Sequence, residues 1–291
     1  MSYNLGLTGF PVAHSLSPRL HQAALASCGL AGEYRCYPVP ADDAAEGLGD
    51  LLQQMRAGEL HGLNVTIPHK QTLIPLLDFI APSASGVGAV NTVVLQGKRL
   101  VGENTDVPGF QRDLQRLGFH QPQPGRQMAL VMGAGGAARA VVQALIGQGW
   151  GVRILARRPE KASELAVRFA SPGNDVHALP DEPGSYRQPY GLVVNTTPLG
   201  MPPYENSSPW PADIPLPATA AIYDLVYQTH TPLIQHAEAA GLPCAGGLGM
   251  LVEQAALAFE LWTGHYVRRS AMWQAVKEPE QNRNQRKRKQ L

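Results

Sequence analysis

The chain has 291 residues, 44% of them apolar and 16% charged, with a formal net charge of +1. That length allows two domains with ample cores, and the composition excludes a disordered polypeptide. The near-neutral balance predicts no nucleic-acid or membrane partner, and no run approaches the roughly 18 apolar residues of a bilayer span. The basic charge is concentrated at the end. The tail "KEPEQNRNQRKRKQL" (277–291) carries six Lys/Arg against two Glu, which leaves the rest of the chain slightly acidic. It is read as a disordered, solvated end. The opening "MSYNLGLTGF" lacks the basic and apolar regions of a secretory signal. Cys28, Cys36 and Cys244 have no C-x-x-C spacing, so buried free thiols in a reducing cytoplasm are expected.

Strand-like and helix-like segments alternate almost throughout, which predicts α/β architecture with mostly parallel sheets. "YNLGLTGF" is a strand. "SLSPRLHQAALASCG" is a helix with Ser17 as N-cap, Pro18 at the first position and Gly29 as its stop. "EYRCYPVP" is a second strand, and a helix covers 43–57. "GLNVTI" is a strand that ends at Pro68. Pro68 is suited to the first position of a helix, which places Lys70 in the first turn, at the positive end of the macrodipole. A cation is disfavoured there, and this would ease release of its proton. "AVNTVVLQGKRLVGENTD" is a hairpin around "QGKR". "VPGFQRDLQRLG" is a helix with Asp106 near its N-cap.

A Pro/Gln-rich stretch (119–127) reads as a connector into a second unit. "MALVMGAGGAARAVVQALIGQGWGVRILARR" follows as strand, glycine turn, helix and strand. "YGLVVNTTPLGM" and "AAIYDLVY" supply later strands, and "LGMLVEQAALAFELWTG" is a long amphipathic helix stopped by Gly264.

The turn "GAGGAA" fits G-x-G-x-x-G/A through Gly133, Gly135 and Ala138. The first glycine makes the tight turn, the second admits a pyrophosphate to the backbone, and the helix N-terminus faces its charge. An ordinary glycine-rich strand-to-helix turn is the competing reading, but the flanking strand, helix and second strand favour a dinucleotide site. At the end of that second strand, NAD sites carry an acidic residue for the ribose 2′-hydroxyl. This chain has Arg157, Arg158 and Lys161 instead, and guanidinium groups suit a 2′-phosphate. NADP is therefore preferred. Thr196 and Thr197 follow an apolar strand where such a site meets its cofactor, and are expected near the nicotinamide ribose and phosphate.

Four polar motifs stand at strand ends in the first 106 residues: "SLS" (15–17), "NVTIPHK" (64–70), "AVNT" (89–92) and "NTD" (104–106). Ligands of parallel sheets bind beyond the carboxyl ends of strands. Such a lining of hydroxyls, amides, one lysine and one carboxylate suits a small polyhydroxylated acid. With "GFPVAHSLSP", "NVTIPHK", "GAVNT", "GENTD", "GAGGAAR", "NTTPLGM", "YDLVY" and "GGLGMLVEQA" in this order, the chain resembles the shikimate dehydrogenase family over nearly its whole length, excluding the tail.

The resemblance implies NADPH-dependent reduction of 3-dehydroshikimate to shikimate. It also implies an N-terminal α/β substrate domain (1–106 with 247–276) and a Rossmann-type NADP-binding domain (107–246), with the active site in the cleft between them. It implies Lys70 and Asp106 as the catalytic pair, and Ser15 and Ser17 as carboxylate-binding serines. Asn64, Thr66, Asn91, Tyr227 and Gln254 are implied as further substrate contacts. On the cofactor side it implies Gly133, Ala134, Gly135, Gly136, Ala137, Arg157, Arg158, Lys161, Thr196, Thr197, Leu225, Gly247 and Met250. The partner implied is a small molecule, and the chain is expected as a monomer or homodimer. Ala156-Arg157-Arg158 departs from the family's frequent Asn-Arg-Thr/Ser and removes one possible contact to the adenosine half.

Each residue also has a bland reading. Asp106 and Ser17 are ordinary helix caps, Lys70 a surface lysine, Asn64 and Asn91 internal hydrogen-bonding amides, and Gln254 a polar face of a helix. His14, His21 and His69 lie near these motifs without metal-ligand spacing, so no metal is expected. Two alternatives stay open: a quinate/shikimate dehydrogenase with relaxed cofactor use, and a non-catalytic paralogue that senses a shikimate-like acid.

Overall fold

The computed structural model describes residues 2–122, 127–227 and 230–277. The middle of the predicted connector and the basic tail beyond Lys277 lie outside the described residues. The chain divides into two compact units. The first consists of the described parts of Met1–Ser85, Ala89–Thr105 and Val252–Leu291; the second of Gly86–Gly88 and Asp106–Leu251.

The first unit begins with β1 (Ser2–Gly9), α1 (Ser17–Ser27), β2 (Ala31–Pro38), α2 (Ala44–Ala57) and β3 (Gly62–Val65). A 3₁₀ turn (Ile74–Leu76), β4 (Phe79–Ile80), α3 (Pro82–Ser85), β5 (Thr92–Gln96) and β6 (Arg99–Glu103) follow. Its six-stranded sheet has the order β2-β1-β3-β5-β6-β4. β1 runs parallel to β2 and β3, while β5 pairs antiparallel with both β3 and β6. The hairpin read around "QGKR" is thus present, with Gly97 at φ +62° in its turn. α2 lays Leu48, Leu51, Leu52 and Met55 on a core that holds Leu63, Val65 and Val93 from the sheet.

The second unit contains α4 (Asp106–Leu117), β7 (Met128–Met132), α5 (Gly136–Ile146), β8 (Gly151–Leu155) and α6 (Pro159–Phe169). It continues with β9 (Val176–Ala178), α7 (Pro183–Tyr186), β10 (Leu192–Asn195), β11 (Ala221–Asp224), α8 (Pro232–Ala239) and β12 (Cys244–Gly246). The strand order is β12-β11-β10-β7-β8-β9, and every pairing is parallel. This is the doubly wound order of dinucleotide-binding sheets, with its switch point between β7 and β10. Gly86–Gly88 joins this unit because the Arg168 guanidinium of α6 donates to the carbonyls of Gly86 and Val87 at 3.3 and 3.1 Å.

α9 (Leu248–Thr263) crosses the division at Leu251/Val252, and α10 (Arg269–Lys277) closes the described chain. Gly264, at φ +69°, ends α9 as read from the sequence. The helix is not amphipathic, however. Residues on all its sides are buried or half-buried apart from Leu261, as expected for a helix enclosed by protein. None of the described helices is long and apolar enough to cross a membrane.

Three local expectations are corrected. Lys70 does not lie in a helix: residues 67–73 form turns. The Lys70 carbonyl accepts the Val90 N–H at 2.7 Å, while the Ile74 N–H turns to Gln71. Pro75 has no N–H to extend a helical ladder and disfavours helical backbone at Ile74. The dipole argument for Lys70 therefore does not apply. Ser17 is the first residue of α1 rather than its cap; its N–H donates to the Ser15 hydroxyl at 3.2 Å. The three cysteines are free thiols but half-buried rather than buried.

Gly249, in the first turn of α9, lies against a charge that local sequence does not reveal. Asp113 of α4 is fully buried, accepts the Tyr223 hydroxyl at 2.6 Å and pairs with Arg116 at 2.7 Å. A Cβ on Gly249 would stand 2.0 Å from that carboxylate. Alanine there would gain about 1 kcal/mol of helix propensity. It would lose about 1–3 kcal/mol to overpacking and a comparable amount to displaced hydrogen bonds. Gly249→Ala is expected to lower the urea midpoint clearly; a midpoint at or above the parent's would show that Asp113 is free to move.

Candidate active site

The glycine turn in the second unit has the geometry its sequence implies. Gly133 has φ +118°, and a Cβ there would stand 2.3 Å from the Thr196 hydroxyl, so both backbone and neighbour require glycine. Gly135 precedes α5, and a Cβ on it would meet nothing within 4 Å, which leaves its backbone open to a ligand. Gly136 and Ala137 begin α5, whose first N–H groups have no intrahelical partner. The small Ala138 is fully buried between helix and sheet. An open glycine at a helix N-terminus is the donor set that a pyrophosphate needs.

Arg157 and Arg158 follow β8 and are exposed. Lys161 is paired with Glu164 at 2.8 Å, so the basic character left at that strand end comes chiefly from the two arginines. Burial and the neighbouring Arg168 lower the pKa of Arg139.

At the end of β10 the two threonines differ. Thr196 donates its hydroxyl to the Met132 carbonyl at 2.7 Å, tying β10 to β7. Thr197 donates both its N–H and its hydroxyl to Asn195 Oδ1, each at 2.8 Å. Leu225 is half-buried beside this loop's neighbour strand, and a Cβ on Gly247 would stand 2.1 Å from the Leu225 carbonyl oxygen. Met250 lies in the hydrophobic core of the unit. Tyr227 is half-buried, and desolvation raises its pKa.

In the first unit the strand ends bring Asn64 and Asn91 into one buried polar cluster, which Ser17 and Gln254 adjoin. Asn64 of β3 accepts the Tyr34 hydroxyl at 2.9 Å and donates to the Asn91 carbonyl at 3.2 Å and the Thr92 hydroxyl at 3.1 Å. Asn91 donates to the Thr105 hydroxyl at 2.9 Å and accepts the Thr105 N–H at 2.8 Å. A long 3.5 Å contact joins Asn91 to Gln254 of α9. The bland reading of Asn64 and Asn91 therefore holds alongside any ligand role. Ser17 is buried within hydrogen-bonding reach of Tyr34, and Ser15 is half-buried at the same helix start. Thr66 is half-buried just past β3, where its N–H donates to the Thr8 carbonyl at 2.9 Å. Lys70 is half-buried in the turn beyond it. Asp106 is buried and opens α4, in the second unit.

Sequence reasoning missed Tyr34, Asp113 and Asp224. Tyr34 and Asp113 act through partners 30 and 110 positions away, while Asp224 stands in the quoted "YDLVY" with no role read for it. His69 and His21 have structural positions. His69 is buried and its Nε2 donates to the Val39 carbonyl at 2.7 Å. His21 is completely buried and stacks on Tyr34 with ring centroids 4.3 Å apart. His14 is exposed. Among the described residues no group of three or more His, Cys, Asp or Glu could hold a metal ion.

A doubly wound sheet with an open glycine turn, joined in one chain to a sheet whose strand ends carry amides, hydroxyls and a lysine, defines a dinucleotide-dependent oxidoreductase of small polar substrates. Comparison with known proteins gives the family. The shikimate dehydrogenase substrate-binding domain model matches residues 7–93, and the shikimate 5′-dehydrogenase C-terminal domain model matches residues 247–277. A shikimate dehydrogenase (NADP(+)) from Salinibacter ruber is 43% identical over 93% of this chain and 95% of its own. A crystal structure of shikimate 5-dehydrogenase from Thermus thermophilus, in complex with NADP(H) and shikimate, is 39% identical with a TM-score of 0.82. That match covers 94% of this chain and 98% of the other. Quinate dehydrogenase from Corynebacterium glutamicum, in complex with NAD, is also similar, at 31% identity and a TM-score of 0.82, covering 94% of this chain and 98% of its own. The chain belongs to the shikimate dehydrogenase family, NADP-dependent oxidoreductases that act on a CH–OH group.

Burial lowers the His21 pKa from 6.5 to about 3, with Asn64 opposing the shift. The folded value lies below the unfolded one, so as pH falls the unfolded chain binds the proton first. Stability is unaffected by this group above pH 6.5 and is lost as pH falls from there toward 3. The slope approaches about 1.4 kcal/mol per pH unit in that window. His21→Gln is expected to lose less stability than the parent between pH 7 and pH 4.5 in urea titrations. Equal losses would mean that His21 is hydrated or partnered in solution.

Proposed function

We propose that this protein catalyses the reversible, NADPH-dependent reduction of 3-dehydroshikimate to shikimate, a step toward aromatic amino acids. The observation that carries the reading is family membership over nearly the full chain with Lys70 and Asp106 both present. The open glycine turn and the arginines after β8 fit NADP, with Gly133–Ala137 and Arg157, Arg158 and Lys161 as the residues that would hold it. Bound NADPH supplies the hydride that the carbonyl carbon requires.

The remaining work belongs to the protein. Reduction of a ketone needs a proton at the carbonyl oxygen, and Lys70 with Asp106 supplies it and holds that oxygen. Ser15 and Ser17 bind the substrate carboxylate at the start of α1, where a helix N-terminus favours an anion. Asn64, Thr66, Asn91, Tyr227 and Gln254 orient the ring hydroxyls. The hydrogen bonds that already fix Asn64 and Asn91 mean that these two need little reorganisation on binding. Residues 1–106 with 247–276 are taken as the substrate domain and 107–246 as the cofactor domain. The protein is taken to act in the cytoplasm as a monomer or homodimer, on a small molecule, without nucleic-acid or membrane partners.

Lys70→Ala is expected to lower kcat by about 10²-fold or more and to leave the Kd for NADP+ within about twofold of the parent. A near-normal kcat would remove Lys70 from the mechanism. A second reading, quinate as an additional substrate with NAD as an additional cofactor, is favoured by the likeness to the NAD-bound quinate dehydrogenase and by the pairing of Lys161 with Glu164. The ratio of kcat/KM for shikimate over quinate, measured with each cofactor, is expected to favour shikimate and NADP by at least about tenfold; comparable values would establish the broader enzyme. A flat absorbance trace at 340 nm with shikimate, NADP+ and ample protein would instead identify a sensor.

A further inference from the structure

Asp224 ends β11 fully buried, and the chemistry above makes no use of it. We propose that Asp224 is a positioning residue whose negative charge sets the hydrogen-bond polarity of the loop after β10, so that the Thr197 side chain faces a bound dinucleotide only as an acceptor, for N–H or O–H groups of its nicotinamide half. This inference rests on the dinucleotide reading of the second unit.

Among the described residues, every hydrogen-bond partner of the side chain is a donor. Oδ1 accepts Asn195 Nδ2 at 2.8 Å and the Val226 N–H at 3.0 Å, and Oδ2 accepts the Thr231 hydroxyl at 2.7 Å. Thr231 itself accepts the Ile234 N–H at 3.3 Å, which leaves its proton for Asp224. Burial raises the Asp224 pKa and these three donors oppose the rise; a setting of donors alone fits the ionised carboxylate, which can only accept.

A carboxylate forces Asn195 to present its NH₂, because the flipped amide would set oxygen against oxygen. The second Asn195 N–H then reaches the Leu199 carbonyl at 3.2 Å, and Oδ1 gathers both the N–H and the hydroxyl of Thr197. The Thr197 proton is thus committed, and its oxygen already accepts the Leu199 N–H at 3.2 Å. One lone pair remains for a ligand. Thr196 has likewise committed its proton to Met132.

Two acceptor-only hydroxyls cannot hold a phosphate, whose oxygens at neutral pH are chiefly acceptors. They match a ribose hydroxyl or a carboxamide NH₂. This narrows the sequence expectation of ribose and phosphate. The sheet order supports the assignment: the arginines after β8 mark the adenosine end, and β10 lies on the opposite side of β7. Through Val226, Asp224 also pins the Leu225–Tyr227 segment to the same anchor.

The test is calorimetric titration of the full chain, in parent and Asp224→Asn forms, with NADP+ and separately with 2′,5′-ADP, which lacks the nicotinamide half. Asp224→Asn keeps the shape but frees Asn195 to turn, so NADP+ should bind about tenfold more weakly, as for one or two lost hydrogen bonds. Affinity for 2′,5′-ADP should stay within about twofold. Thr197→Val leaves the buried carboxylate untouched and should show the same pattern, with a smaller loss. If Asp224→Asn yields no folded protein, Thr197→Val decides by the same comparison. Equal weakening toward both ligands, or undiminished NADP+ binding, overturns the inference while leaving the dinucleotide reading in place. A parent that binds neither ligand overturns both.

Discussion

The amide of Asn91 holds Thr105 at two points, taking its N–H and giving a proton to its hydroxyl. Asn91 stands just before β5 and Thr105 just after β6, so this grip closes the open end of the hairpin. The next residue, Asp106, begins α4. Most other features of the first unit's polar cluster follow from this. An aspartate at position 91 would have no proton for Thr105, and a leucine would strand the Thr105 N–H away from water, at about 1–3 kcal/mol, leaving the Thr92 and Thr105 hydroxyls to each other. The cluster is buried and yet nearly satisfied, which is the condition under which amides can replace apolar packing at strand ends.

The second unit uses the same device with a different orienting group. Asn64 is turned by a tyrosine hydroxyl and a backbone carbonyl, whereas Asn195 is turned by a carboxylate. In both cases one face of the amide is fixed by the protein, and the other fixes a neighbouring hydroxyl or backbone group. Such amides transmit orientation. A ligand then meets side chains whose donors and acceptors are already assigned, and binding does not have to reorganise them.

Much of this fold was legible in the sequence. Alternating elements, the glycine turn and the hairpin are local patterns, and local physics decided them. The glycine at 133 was readable because a positive φ and the close approach of Thr196 leave no room for a Cβ. What failed depended on distant partners. Nothing near Pro68 announces that Val90 will take the Lys70 carbonyl. Ser17 looked like a cap because Pro18 follows it, yet the hydroxyl that receives an N–H there belongs to Ser15. The sequence of α9 reads as amphipathic, with Gln254 on a polar face. Glu253 and Glu260 are instead taken up by Arg269, and Gln254 by Asn91. Tyr223 and Asp113 are 110 positions apart, and only the fold reveals their bond.

The correction at Lys70 alters the physical account of that residue and leaves its proposed role as it was. A helix start would have tied its chemistry to a backbone dipole. The turn ties it to strand pairing instead, because its carbonyl is fixed by Val90, the residue before Asn91, and Asn91 in turn accepts the Val65 N–H through its own carbonyl. The lysine backbone is therefore registered against the amide that grips Thr105. A shift of β5 by one residue would move the lysine turn, the Asn91 amide and the strand end before Asp106 together. The lysine backbone is thus held by strand pairing and not by a helix of its own.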